Sequence, residues 1–239
     1  MFSKENITTV FMDVDDTLLD FKECARENVR NCCARNHIQY SDHLFEFFLS
    51  RNVVLWKRIE DGLLTVDELH QTRWAGIFHD LGIKADGPAF ELDFIAGLRD
   101  THVPVSGAHE VMKYLHNRYK VYVVSNASNL QQSTRLTKAE LIQYVDGVFG
   151  SLDIGYNKPS REYFDFCFSQ LGGTRPDQTV IIGDSLNADI SGGKAYGLNT
   201  IWFNLRNAEP SDSIFPDYTI HTLSEITDIL TKPLWSHQF

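Results

Sequence analysis

The chain has 239 residues, 43% hydrophobic and 23% charged, a composition that gives ample core for a globular protein and excludes a disordered or fibrous one. Lys and Arg number 22 against 32 Asp and Glu, and the net charge of −10 argues against a nucleic-acid polymer as partner, since a phosphate backbone needs a concentrated cationic surface. No segment reaches the ~18 unbroken apolar residues of a membrane span, and the acidic cluster Asp13-Val14-Asp15-Asp16 falls where a signal peptide's apolar core would continue, so a cytoplasmic protein with no membrane partner is expected.

In chain order, Thr8-Thr9-Val10-Phe11-Met12 reads as a buried strand that ends in Asp13-Val14-Asp15-Asp16-Thr17. An apolar run closed by carboxylates, at the head of a chain that later alternates strand and helix, predicts a central parallel strand opening into a ligand crevice. While the chain stays extended, Asp13 and Asp15 leave the same side of the backbone and can address one ligand. The period then turns helical. One helix is predicted over Lys22–Asn36, and a second follows Ser41 as N-cap, with Leu44, Phe48, Leu55 and Ile59 on one side. A third opens at the capping box Thr65-Val66-Asp67-Glu68 and stops at Gly82, and a fourth covers Pro88–Leu98. Together they predict a helical bundle, residues 21–103, inserted between core segments 1–20 and 104–239 and expected to lie over the strand ends as a lid.

Helix and strand then alternate: a helix over Ala108–Arg118, a strand at Val121–Val124 ending in Ser125-Asn126, a helix over Leu130–Leu141 and a short strand near Val148-Phe149. Lys158-Pro159-Ser160 precedes a further helix, the proline suiting its first turn. The strand Thr179–Ile182 ends in Gly183-Asp184-Ser185, and a helix over Asn187–Tyr196 carries Asp189 one turn further on. A strand over Thr200–Phe203, an exposed loop over Asn207–Pro216, and a last strand and helix near Tyr218–Ile220 and Leu223–Leu230 complete the chain. The predicted class is α/β: a doubly wound, Rossmann-like core with a mostly parallel sheet, plus the inserted helical bundle. Strands of a parallel sheet end on one edge, so Asp13, Asp15, Ser125, Lys158, Asp184 and Asp189 can converge although they span most of the chain. Cys24, Cys32, Cys33 and Cys167 lack metal-ligand spacing and read as buried or idle thiols, and none of the nine histidines is assigned to the site.

The set and its order resemble the haloacid dehalogenase (HAD) superfamily: Asp13-Val14-Asp15-Asp16-Thr17 is similar to its first motif, Ser125 to its second, Lys158 to its third, and Gly183-Asp184-Ser185 with Asp189 to its fourth. Phosphoryl transfer needs a nucleophile, groups that neutralise the phosphoryl oxygens, and a proton donor for the leaving group. In that chemistry Asp13 is the nucleophile and Asp15 the acid and then the base. Thr17, Ser125 and the main chain near Asn126 donate to the phosphate, and Lys158 supplies positive charge. Asp184, an oxygen of Asp13 and the main-chain carbonyl of Asp15 form an all-oxygen set that suits Mg²⁺, with Asp189 behind them holding Lys158 or a metal-bound water. The resemblance implies the same roles. Taken singly, each residue has a plainer reading: a strand-ending Asp caps a helix, Ser-Asn makes a turn, a lysine is solvated. The plainer account needs four such coincidences in order.

Asp15 argues for a phosphatase over a 2-haloacid dehalogenase, since displacing halide from carbon needs no acid. A sugar-phosphate mutase would keep both aspartates, and a non-catalytic metabolite-binding protein would have lost the nucleophile or the lysine. Within the inserted segment, Asn52, Trp56, Glu60-Asp61-Gly62, Leu64-Thr65, Glu68-Leu69 and Arg73 resemble the pattern of the YjjG-type pyrimidine 5′-nucleotidases. That implies a small phosphorylated metabolite, a nucleoside 5′-monophosphate before other phosphometabolites, with Asn52, Trp56 and Arg73 governing selectivity. For Phe48 and Trp56 the default role is packing within the bundle.

Overall fold

The computed structural model describes residues 4–231, and within it the apolar runs assemble into one sheet. Six strands, β1 (Thr9–Met12), β2 (Lys120–Ser125), β3 (Gly147–Gly150), β4 (Thr179–Gly183), β5 (Asn199–Phe203) and β6 (Tyr218–Ile220), lie in the order β3-β2-β1-β4-β5-β6, and every neighbouring pair is parallel. β1 is central: Thr9–Met12 is in register with Lys120–Val123 on one side and Thr179–Ile182 on the other. The chain winds outward through β2 and β3, then restarts at β4 on the far side of β1. The carboxyl ends of β1 and β4 therefore flank the switch point, where open α/β sheets form their crevice.

Alternation along β1 sets the two faces. Val10 and Met12 join Val121, Val123, Val180, Ile182 and Ile201 in one buried cluster, packed under α5 (Ala108–His116) and α10 (Glu225–Ile229). Phe11 points the other way, with Val124 and Ile181, into a cluster completed by Tyr163, Phe164 and Cys167 of α8 (Arg161–Ser169). Both faces of the central strands are thus dry, which is why these strands read as unbroken apolar runs.

The chain divides into two compact units, one of residues 1–20 with 104–239 and one of 21–103. The second comprises α1 (Phe21–Arg35), α2 (Asp42–Glu60), α3 (Val66–Asp80) and α4 (Gly87–Leu98). Ser41 caps α2 through Leu44 N, and Thr65 with Glu68 closes a reciprocal capping box on α3. Its core is aromatic: Phe45, Phe48, Trp74, Phe78, Phe90 and Phe94 are buried, and Phe48 stacks on Trp74 with centroids 5.0 Å apart. Phe48 is therefore packing. No helix among the described residues is long and apolar enough to cross a membrane.

Two local features differ from the predicted elements. A short helix, α7 (Ser151–Ile154), follows β3 directly. The segment after β4 is not α-helical from its start: Leu186–Ser191 forms a π-helical turn, with Ile190 N bonded to Ser185 O, before α9 (Gly192–Tyr196) continues. Wide turns of this kind are frequent at functional sites, and this one carries Asp189.

Candidate active site

The carboxyl ends of β1, β2 and β4 bring the strand-end side chains together. Asp13 follows β1 directly, 7% exposed. The Lys158 ammonium, 2% exposed, donates to Asp13 Oδ1 at 2.8 Å, Asp189 Oδ1 at 2.6 Å and Val124 O at 3.0 Å. Those three bonds use every donor an ammonium has, so Lys158 is a fixed charge between two carboxylates. The other Asp189 oxygen accepts from Ser185 N at 3.1 Å. A side chain at residue 183 would collide with it, because a Cβ there would stand 2.1 Å from Asp189 Oδ2, and glycine is required at the end of β4. Carboxylate oxygens of Asp13, Asp184 and Asp189 lie within 4.8 Å of one another.

The electrostatics follow from crowding and burial. Burial raises the Asp13 carboxyl to about 7, with Lys158 pulling it down and Asp189 and Asp15 pushing it further up. Burial, and after it the charges of Asp13, Asp16 and Asp189, hold Asp184 well above the usual carboxylate range. Burial alone would lower Lys158, but Asp13 and Asp189 outweigh it and keep the ammonium above its ordinary value. Carboxylates raised in this way by one another are relieved by a bound cation, and the donors available are all hard oxygens.

The phosphate-facing candidates are placed as follows. Ser125 is 3% exposed, and its Oγ accepts from Gln132 Nε2 at 2.8 Å and from Ala127 N at 3.2 Å, which leaves its own proton to be donated elsewhere. The Thr17 hydroxyl is fully buried with no hydrogen-bond partner among the described residues. The Asn126 side chain clasps the backbone of Lys158, with Nδ2 donating to its O at 3.1 Å and Oδ1 accepting from its N at 2.8 Å. Its amide thus ties the loop after β2 to the Lys158 loop, and only its main chain remains for a ligand.

Four supporting residues escaped the sequence reading. Gln132 and Arg135, on α6 (Asn129–Lys138), donate to the two oxygens of Asp15 at 2.9 and 2.6 Å. Their i, i+3 spacing just beyond a strand-ending serine was the available signal. The Tyr163 hydroxyl accepts from Ser125 N at 3.0 Å and donates to Phe149 O at 2.6 Å. Trp202 Nε1 donates to the main-chain oxygen of Asp184 at 2.8 Å.

The helical unit treats its candidates differently. Arg73 and Asn52 are each 5% exposed. Arg73 donates through Nη2 and Nε to the two oxygens of Glu91 at 2.6 and 3.2 Å, and through Nη1 to Asn52 Oδ1 at 2.7 Å. The sequence pattern predicts that both meet a substrate. The structure instead engages them with each other and with α4, because a buried guanidinium requires a buried carboxylate. Trp56 is only partly buried, against Ile59, Val66 and Leu69.

A doubly wound sheet with paired aspartates, a fixed lysine and a carboxylate cluster at its switch point fits an enzyme of the phosphoryl-transfer type. The model of the haloacid dehalogenase-like hydrolases matches residues 7–197, and the chain belongs to that family. YfnB of Bacillus subtilis is 33% identical over 222 residues, covering 93% of this chain and 94% of its own. The crystal structure of YfnB bound to magnesium superposes with a TM-score of 0.90 over 95% of this chain and 99% of that one. The pyrimidine 5′-nucleotidase PynA of Streptococcus pneumoniae is 29% identical, covering 93% of this chain and 94% of its own. The pyrimidine 5′-nucleotidase YjjG of Escherichia coli is 26% identical, covering 93% and 97%.

Proposed function

We propose that the protein is a Mg²⁺-dependent phosphomonoester hydrolase acting through an aspartyl-phosphate, with nucleoside 5′-monophosphates of the pyrimidine series as its substrates. The observation that carries the chemistry is the Lys158 ammonium locked between Asp13 and Asp189 at 2.8 and 2.6 Å, beside the Asp184 carboxylate. The nucleotidase relatives, matched over almost the whole chain, support the substrate class.

Asp13 attacks phosphorus, and the bond from phosphorus to the ester oxygen breaks as Asp15 gives that oxygen its proton. Asp15, now a carboxylate, takes a proton from the water that attacks the aspartyl-phosphate, and inorganic phosphate leaves with Asp13 restored. Lys158 holds Asp13 Oδ1 and so fixes the nucleophile's orientation. Ser125 Oγ, Thr17 Oγ1 and main-chain N–H groups near Asn126 donate to the phosphoryl oxygens. Asp13, Asp184 and the main-chain carbonyl of Asp15 would hold Mg²⁺, which when bound neutralises phosphoryl charge. Asp189 acts through Lys158. For substrate choice, Trp56 is one of the partly exposed aromatics of the helical unit, while Asn52 and Arg73 act through that unit's internal frame.

Phosphate release across a panel of nucleotides and sugar phosphates tests this reading. Pyrimidine monophosphates should turn over fastest, chelation should abolish turnover and Mg²⁺ restore it, and Asp13→Asn should fold yet hydrolyse nothing. Near-wild-type turnover by Asp13→Asn, or full activity after chelation, would overturn the mechanism. Trp56→Ala should lower kcat/KM for a pyrimidine monophosphate selectively, and an equal loss on p-nitrophenyl phosphate would remove it from substrate choice.

A further inference from the structure

The Asp15 carboxylate is held from behind by one helix. Gln132 Nε2 donates to Asp15 Oδ2 at 2.9 Å and to Ser125 Oγ at 2.8 Å, and Arg135 Nη1 donates to Asp15 Oδ1 at 2.6 Å and to Gln132 Oε1 at 3.2 Å. Both donors are fully buried, whereas the Asp15 side chain is 32% exposed. A loop carboxylate with one open side thus has each oxygen fixed by a separate donor from a packed element.

Resting on the reading of Asp15 as acid and base, we propose that Gln132 and Arg135 are positioning residues for the proton transfer. Two donors on two oxygens fix the carboxylate plane as well as its position. A carboxylate offers about four acceptor positions, so the two bonds leave room for the proton that passes to the ester oxygen as the phosphorus–oxygen bond breaks. A misaimed acid is a slow one, because proton delivery depends on placement within fractions of an ångström. A buried guanidinium is also costly unless paired, and here its charge faces the reacting carboxylate.

A purely structural role, in which α6 is merely anchored to the loop after β1, predicts something else, and the leaving group separates the two. The nitrophenolate leaving p-nitrophenyl phosphate is a stable anion that needs little proton donation, whereas the 5′-oxygen leaving uridine 5′-monophosphate needs it fully. kcat/KM reports the steps up to formation of the aspartyl-phosphate. Wild type, Asp15→Asn, Gln132→Met, Arg135→Lys and the double variant Asp15→Asn/Gln132→Met are compared on both esters with Mg²⁺ present. Asp15→Asn should lose about 10²- to 10⁴-fold on the nucleotide and far less on the aryl ester. Gln132→Met and Arg135→Lys should show the same bias, by about tenfold or more, and the double variant should be no slower on the nucleotide than Asp15→Asn alone. Gln132→Met keeps the volume and the charge balance, so it carries the test if Arg135→Lys does not fold. Equal losses on both esters in Gln132→Met, or multiplied losses in the double variant, overturn the positioning role while leaving Asp15 as the acid. Equal losses in Asp15→Asn itself overturn the acid assignment, and the proposal falls with it.

Discussion

Replacing Arg73 by alanine should cost folding stability before it costs anything else. Its guanidinium and the Glu91 carboxylate are 5% and 2% exposed, and the pair is bidentate. Asn52 takes a third donor, and the guanidinium carbon lies 4.8 Å from the centre of the Phe94 ring. Truncation to alanine leaves an ionised carboxylate in an aromatic core with no counter-charge at that position, and breaking a buried pair in this way costs about 3–5 kcal/mol. Against a total of about 5–15 kcal/mol for a domain, that is a large fraction. Glu91 can escape by binding a proton: burial already raises its pKa above 4.5, with Arg73 opposing, and removing Arg73 removes the opposition. A carboxyl whose folded pKa exceeds its unfolded one binds more protons when folded, so stability falls as pH rises from the unfolded pKa toward the folded one. The deficit of Arg73→Ala should therefore be smaller near pH 5 than near pH 8. Urea unfolding of the purified full-length chain at both pH values measures it, and the double variant Arg73→Met/Glu91→Leu, which removes both charges, should recover much of the loss. A deficit below about 1 kcal/mol, or one identical at the two pH values, would refute the reasoning.

Tyr163→Phe should lower the unfolding free energy by about 1–3 kcal/mol and slow turnover, because Ser125 N and Phe149 O both lose a buried partner; an unchanged denaturation midpoint would show that the hydroxyl is dispensable. Asp189→Ala should cost more stability than Asp184→Ala, since Lys158 and Ser185 N both depend on Asp189. Asp184→Ala should fall mainly on activity, and paired melting and turnover measurements on the two variants check the division.

What could be read beforehand is what short-range pattern encodes. The unbroken apolar runs at Val10–Met12 and Val180–Ile182 mark strands dry on both faces, and the capping box at Thr65 marks a helix start by its own chemistry. The family, too, was legible, because its motifs stand in chain order, three of them at strand ends and Lys158 in the loop before α8. Pairings between distant charges were not. Arg73 looks like a ligand-binding arginine until Glu91, on the next helix, is seen to take it. Gln132 and Arg135 meet a carboxylate 117 and 120 positions earlier, and a single sequence gives no hint of that partner. The π turn was missed for a different reason: Leu186–Ser191 has ordinary helical composition, and its width appears only once the Asp189 carboxylate is placed against Gly183, Ser185 and Lys158.

The charges gathered at the strand ends supply a further argument about what the site requires. Four carboxylates, those of Asp13, Asp15, Asp184 and Asp189, stand there against two buried cations, Lys158 and Arg135. Arg206 adds little, because it is engaged by Asp16 and Asp20. With every group ionised, the crevice carries two uncompensated negative charges, and a phosphomonoester brings more. Burial and their neighbours raise the carboxyls of Asp13 and Asp184, which favours the protonated form of each. A protonated Asp13 cannot attack phosphorus, so relief by protonation works against the chemistry proposed for it. A divalent cation matches the excess in magnitude and leaves the nucleophile ionised, and the all-oxygen surroundings favour Mg²⁺ over softer ions. The same excess explains why Lys158 is fixed by three hydrogen bonds: a mobile ammonium could follow the substrate's charge and leave Asp13 and Asp189 facing each other with nothing between them.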